Sequence, residues 1–305
     1  MAIPTSRTHK KARPTIDTDL CNGCGLCVQV CKDFTLRLVD GKVAIGDHPV
    51  FGCIGCGHCM AICPKEAIAV TGRFLSPQDQ TALPATADCT DYPRLVNLLR
   101  RRRAIREFKD KAVEPQLIDQ VLEAVRTAPM GLPPSDVHVL VLDHPDKVRA
   151  FSRDFCTYLE GLKWLVSPWF LAMMRPFWGK STHMLFRDFV RPLVYTYTSG
   201  MARGEDLVTY GAPAALYFYG SPYCDPADPV VAATYAMVAA ESLGLGTCLL
   251  GGVHPLIQQG RAARRFRESH GIRYPSREGL ILILGYPRVV YQRGIRRSLA
   301  AVDQL

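Results

Sequence analysis

Eight cysteines fall into two runs, CNGCGLCVQVC from Cys21 to Cys31 and CIGCGHCMAICP from Cys53 to Pro64. Both follow the spacing C-x2-C-x2-C-x3-C. Three thiols then lie on one tight loop, and the fourth departs along a short helix to serve the other cluster of a pair. On that scheme Cys21, Cys24, Cys27 and Cys63 hold one 4Fe-4S cluster, and Cys53, Cys56, Cys59 and Cys31 hold its partner. Gly23, Gly25, Gly55 and Gly57 suit a loop that wraps inorganic sulfide, which needs unusual backbone angles and close amide approach. A pair of zinc knots is the competing interpretation, but zinc sites set two C-x2-C pairs apart with a longer spacer.

From Asp17 to Val70 the chain resembles a bacterial two-cluster ferredoxin. Pro64 follows Cys63 as in that pattern, whereas Lys32 follows Cys31, a departure that bears on the local turn and not on ligation.

The 305 residues leave room beyond this segment for a second domain with its own core. Cys89, Cys156, Cys224 and Cys248 show no pairing framework and are expected to be small buried apolar groups. The start, MAIPTSRTHKKARP, is basic and lacks the apolar core of a secretory signal, so a cytoplasmic protein is expected. The formal net charge of +9 does not call for a nucleic-acid partner. Two clusters at about −2 each and a flavin phosphate at about −2 would leave roughly +3.

The chain divides into a basic tail (1–14), the iron–sulfur domain (15–72), a linker rich in Pro, Ser, Thr and Ala (73–91) and a larger domain (92–305). Alternation around Asp40-Gly41 predicts a hairpin over Thr35–Ile45. In the larger domain a helix carries Leu95, Val96, Leu98 and Leu99. A second, opened by Pro115, carries Leu117, Ile118, Val121, Leu122 and Val125 on one stripe. Strands are expected at Val137–Leu142, Ala214–Tyr219 and Leu280–Leu284. Val230–Leu243 is apolar on nearly all sides, which predicts a helix buried all round, in a core or at a subunit interface. The fold class is α+β.

Five runs, RRRRAIREF, TAPMGLPPSDVHVLVL, TYGAPAALYFYG, ESLGLGTCLLGG and LGYPRVVYQRGIRR, occur in the order and spacing of the nitroreductase family. From Tyr92 to about Arg297 the chain resembles one such FMN-binding domain. The resemblance implies a nitroreductase-like fold, usually a homodimer with FMN at the subunit interface. It places Arg102, Arg103 and Arg106 at the flavin phosphate and ribityl end, with Ala104 where the family has serine. Clustered guanidinium groups give fixed forks for a phosphate dianion. It also sets Pro129, Met130 and Gly131 against the flavin ring, in a segment that lacks the family asparagine and would use backbone amides. Gly244–Gly252, with Gly251 and Gly252 at its end, resembles the family loop that brings an N–H toward flavin N5, and Arg293 and Arg297 fill the C-terminal basic positions. A dinucleotide fingerprint does not fit Gly244–Gly252, because Leu249 stands where the last glycine is needed.

The stretch from Phe151 to Gly200 holds Trp164, Trp169 and Trp178. Its run WLVSPWFLAMM is too short to span a bilayer. Buried core or dimer contact, a lid over a hydrophobic substrate, and membrane-surface contact remain open. His58 and His254 are expected to be hydrogen-bonding residues and not ligands.

Together the resemblances imply an iron–sulfur flavoprotein oxidoreductase that passes electrons from two 4Fe-4S clusters to FMN. The terminal acceptor would be a small electron-poor molecule: a nitroaromatic, a quinone or an activated double bond. No catalytic side chain is needed for transfer at flavin N5. The donor, a ferredoxin or NAD(P)H, stays open, as does the alternative of an electron-transfer protein relaying between redox partners.

Overall fold

The computed structural model describes residues 10–131 and 135–303. Strand β1 (Arg13–Ile16) pairs antiparallel with β4 (Ile68–Thr71), closing the first domain from its two ends. Between them run α1 (Leu26–Val30), the hairpin β2 (Leu36–Val39) and β3 (Lys42–Ile45), and α2 (His58–Ala61). The hairpin lies where the Asp40-Gly41 turn predicts it. Leu36, Val43, Met60, Ile68 and Val70 make a small core against the cysteine loops. Residues 11–14 of the predicted tail are part of the domain. Ala12 is buried and donates its N–H to the Cys53 carbonyl at 2.8 Å. Residues 1–9 of that tail lie outside the described residues.

Two short 3-10 turns, Pro77–Asp79 and Thr86–Asp88, interrupt the linker. Cys89 is exposed there, against expectation, because nothing in the linker packs over it. Cys156, Cys224 and Cys248 are buried as expected.

The second domain opens with α3 (Tyr92–Arg101), started by the Asp91 carboxylate accepting from the Arg94 N–H at 2.8 Å. Helix α4 (Pro115–Arg126) follows, and its predicted stripe buries Ile118, Val121 and Val125. The sheet is antiparallel throughout, in the order β5 (Val137–Leu142), β6 (Ala214–Gly220), β8 (Gly279–Gly285), β7 (Gly246–Leu250). Side chains alternate across it. Leu216, Phe218, Leu282 and Leu284 face α4 and α8 (Asp228–Ser242), while Tyr217, Tyr219, Ile281 and Ile283 join the core that includes α5 (Pro145–Glu160) and α9 (Arg261–Ser269). Between α5 and β6 the chain forms α6 (Pro168–Leu185), a π-helical turn over Phe186–Val190, and α7 (Arg191–Ala202).

Three expectations are corrected. Gly246–Leu250, read as part of a loop, is a strand, because its Thr, Cys and Leu side chains complete the edge of the sheet beside β8. Helix α8 is not buried all round within one chain, so of the two settings expected for it the core is ruled out and the subunit interface is not. Ala232, Ala233, Ala236 and Ala240 let it lie close on the sheet, while Val230, Thr234 and Tyr235 stay exposed. The Trp-rich segment is not core: Trp164 and Trp169 are exposed, and between residues 162 and 180 only Val166 and Leu171 are buried.

Candidate iron–sulfur and flavin sites

Four glycines of the cysteine loops, Gly23, Gly25, Gly55 and Gly57, have φ between 70° and 75°. Gly25 and Gly57 are the residues immediately before α1 and α2. At Gly23 a Cβ would stand 1.9 Å from the Gly41 carbonyl oxygen, so the loop closes on the β2–β3 turn only with glycine there.

Each departing cysteine reaches the other loop. Burial pushes the Cys59 thiol up to about 12, and repulsion from Cys53, Cys56 and Cys31 adds to it. Cys53 is raised by burial and then by Cys56 and Cys31. Cys27 is raised by burial, and Cys63 and Cys24 contribute. Cys31 therefore stands among Cys53, Cys56 and Cys59, and Cys63 stands near Cys24 and Cys27. Cys21 differs, lowered by hydrogen bonds from the Val43 and Gly23 backbone. A cationic core would offset the repulsion at Cys27, Cys53 and Cys59, which is chemistry that fits iron–sulfur ligation.

The set formed by Cys31, Cys53, Cys56 and Cys59 opens onto a cavity of about 970 Å³ between the two domains. Its far wall is Leu122, Val125, Arg126, Pro129, Met130 and Gly131, so three predicted flavin residues face four predicted cluster ligands across one space. His58 and Lys32 line the same cavity. The Gly131 N–H is not free for a ring contact, as the sequence suggested, because it donates to Asp228 Oδ1 at 2.9 Å. Asp228 is buried beside Cys224, and its pKa is raised by burial first, with Asp225 and Asp136 adding repulsion against the opposing Gly131 hydrogen bond. Leu132, Pro133 and Pro134 of that segment lie outside the described residues.

The predicted phosphate-binding arginines divide. Arg103 and Arg293 line one cleft of about 240 Å³ with Arg100 and Arg101. Arg106 lies 5.5 Å over the Tyr210 ring, at a second cleft of about 580 Å³. Arg102 and Arg106 both act on the buried Cys248 thiol, opposing the rise that burial causes. Between these groups Ala104 bridges Thr247, whose hydroxyl is buried with no hydrogen-bond partner among the described residues. That orphaned hydroxyl, one residue before the thiol on which Arg102 and Arg106 act, fits a polar, phosphate-bearing ligand such as FMN. Gly251 and Gly252 follow β7 directly. A Cβ on Gly252 would stand 3.1 Å from the Tyr197 hydroxyl. Arg297 is exposed and lines neither arginine cleft. One chain thus presents Arg103 and Arg293 in one cleft, Arg106 in another, Gly251–Gly252 after the end of β7, and the Pro129–Gly131 loop at the cluster-facing cavity.

His254 is a buried hydrogen-bonding residue, its Nδ1 2.9 Å from the Tyr217 hydroxyl. Asp228, Tyr197 and Tyr210 were not singled out from the sequence. Asp228 reads there as an ordinary helix-start residue in DPADPV, and its partner is distant in the chain.

Comparison with known proteins gives the family. Residues 13–64 match the 4Fe-4S dicluster domain, and residues 99–286, more than half of the chain, match the nitroreductase family. An FMN reductase (NAD(P)H) of Bacillus subtilis (strain 168) is 26% identical over 160 residues, covering 52% of this chain and 54% of that protein. The match thus spans about half the length of that curated relative. Among solved structures, a nitroreductase with bound FMN from Bacteroides fragilis NCTC 9343 aligns at 16% identity and a TM-score of 0.49, over 71% of this chain and 99% of that one. Another with bound FMN, from Desulfitobacterium hafniense DCB-2, aligns at 19% identity and a TM-score of 0.48, over 68% and 98%. The chain belongs to the nitroreductase family and carries an N-terminal 4Fe-4S dicluster domain.

Proposed function

We propose that the protein is an iron–sulfur flavoprotein oxidoreductase that passes electrons from two 4Fe-4S clusters to FMN. From there they go to a small electron-poor acceptor: a nitroaromatic, a quinone or an activated double bond. The observation that carries this proposal is the shared cavity, with Cys31, Cys53, Cys56 and Cys59 on one wall and Pro129, Met130 and Gly131 on the other.

In this scheme Cys21, Cys24, Cys27 and Cys63 hold the outer cluster, and the cavity-facing cysteines hold the inner one. Arg102, Arg103 and Arg106, with Arg293 and Arg297 returning from the C-terminal segment, neutralise the FMN phosphate and fix its ribityl end. Gly251 and Gly252 let the backbone approach the flavin ring. Leu122, Val125, Met130, Val137 and Val139 give the cavity apolar walls, which exclude water between the redox centres. FMN, when bound, supplies the conversion between single electrons and a two-electron reduction that clusters cannot make alone.

The exposed Val230, Thr234 and Tyr235 face of α8 supports a homodimer. Two chains would then join the arginine clefts of one protomer to the Pro129–Gly131 loop of its partner. Anoxic turnover of the reduced holoprotein tests the proposal. Saturable oxidation by a nitroaromatic or a quinone is expected. Rapid transfer to redox proteins with no saturable oxidation by small acceptors would make it a carrier instead.

A further inference from the structure

The segment between α5 and β6 carries a large apolar surface that nothing among the described residues covers. Trp169, Met173 and Phe177 recur every four residues along α6, so they form one stripe, and Trp169 and Phe177 are 62% and 77% exposed. After a break at Gly179 the surface continues through Met184, Leu185 and Phe189. The opposite side is anchored. Leu171 is buried, Phe170 packs edge-on against Trp164, Trp169 and Trp178, and Trp178 meets Phe186 at 4.5 Å. The stripe is therefore held outward by a packed base.

Its charge is one-sided. From residue 161 to residue 191 the cations are Lys163, Arg175, Lys180, Arg187 and Arg191, and the one carboxylate is Asp188. Lys163 pairs with Glu160 and Arg187 with Asp188. Arg175 and Lys180, beside the stripe, have no carboxylate partner among the described residues. A twofold contact between copies would set this patch against itself, cations facing cations. Anionic headgroups complement it instead. Trp rings suit the headgroup level, and Met and Phe suit the acyl boundary below. No helix among the described residues is long and apolar enough to cross a membrane, so the surface would lie on a bilayer.

We propose that the Trp164–Phe189 surface docks this protein onto an anionic lipid bilayer. Co-sedimentation of the full-length holoprotein with vesicles tests it, comparing phosphatidylcholine alone with phosphatidylcholine containing phosphatidylglycerol. The protein is expected to pellet with the anionic vesicles, with a blue shift of Trp emission, and to release at high salt. The pair Arg175→Glu and Lys180→Glu keeps the apolar stripe and should weaken binding by about tenfold or more, with bound-flavin absorbance unchanged. Trp169→Glu with Phe177→Glu should abolish it. Wild-type protein left in the supernatant at low salt would overturn the proposal, and so would equal pelleting of both variants. A wild-type dimer that ignores vesicles, but falls to monomer on Trp169→Glu with Phe177→Glu, would make the surface a subunit contact.

Discussion

Gly131 donates its backbone N–H to the Asp228 carboxylate at 2.9 Å, across 97 positions of sequence. This bond ties the loop at the cluster-facing cavity to the start of α8, whose outer face is exposed. Asp228→Ala would remove this bond from a loop residue that water can reach, a cost of about 0.5–1.5 kcal/mol. The Ala variant is expected to lower the melting temperature and to release FMN more readily in ultrafiltration, whereas Asp228→Asn, which keeps an oxygen acceptor, stays near wild type. Because the carboxyl is raised, its contribution to stability is present below the ordinary aspartate pKa and is lost as pH rises through the raised value. The Asn variant should lack that dependence.

Gly23→Ala tests the loop closure around the first cysteine run. Its φ of 70° and the 1.9 Å approach to the Gly41 carbonyl leave no room for a Cβ. Left-handed strain alone costs about 1–2 kcal/mol, and the clash adds to it. Iron per chain, measured by chelator assay, should fall, while the far-UV circular dichroism of the larger domain persists.

Cys31→Ser and Cys63→Ser should each damage the cluster of the opposite loop. Cys31 stands with Cys53, Cys56 and Cys59, so its loss perturbs the inner cluster. Mössbauer or EPR spectra of the two variants should show different clusters altered. Identical spectra would contradict the crossed arrangement.

Acid should destabilise the larger domain through two histidines, His254, which is buried, and His270, which is half-buried. Burial lowers the pKa of both His254 and His270, although Asp154 pulls His270 the other way. A group depressed on folding contributes stability above its unfolded pKa of about 6.5, and that is lost as pH falls through the folded value. Melting temperature should drop between pH 7 and pH 5, with a shallower slope in His254→Gln. A pH-independent melting temperature would contradict this.

The cysteine loops were legible because ligand spacing is a local property: the residues that hold a cluster also set the turns around it. The α4 stripe was equally plain, since Ile118, Val121 and Val125 bury at helical intervals. Strand β7 was hidden by Gly244, Gly246 and the flanking Gly251-Gly252, which look like a loop until β8 supplies its pairing partner. Helix α8 is only half legible, for a different reason. Its Val230 and Tyr235 are as apolar as its buried alanines, and no feature of one chain distinguishes a core face from an exposed apolar one. Asp228 was unreadable because its role depends on a contact made only after the chain has folded.

Electron entry into the flavin through the cavity-facing cluster is the central claim, and anoxic stopped-flow spectroscopy of Cys31→Ser beside wild type tests it most directly. With a low-potential one-electron donor, wild-type clusters should bleach first and the flavin afterward. In Cys31→Ser, with the outer cluster and FMN retained, flavin reduction should slow by at least tenfold, on the order of 1.4 kcal/mol in the barrier. An unchanged flavin rate in that variant would contradict the claim and place electron entry elsewhere.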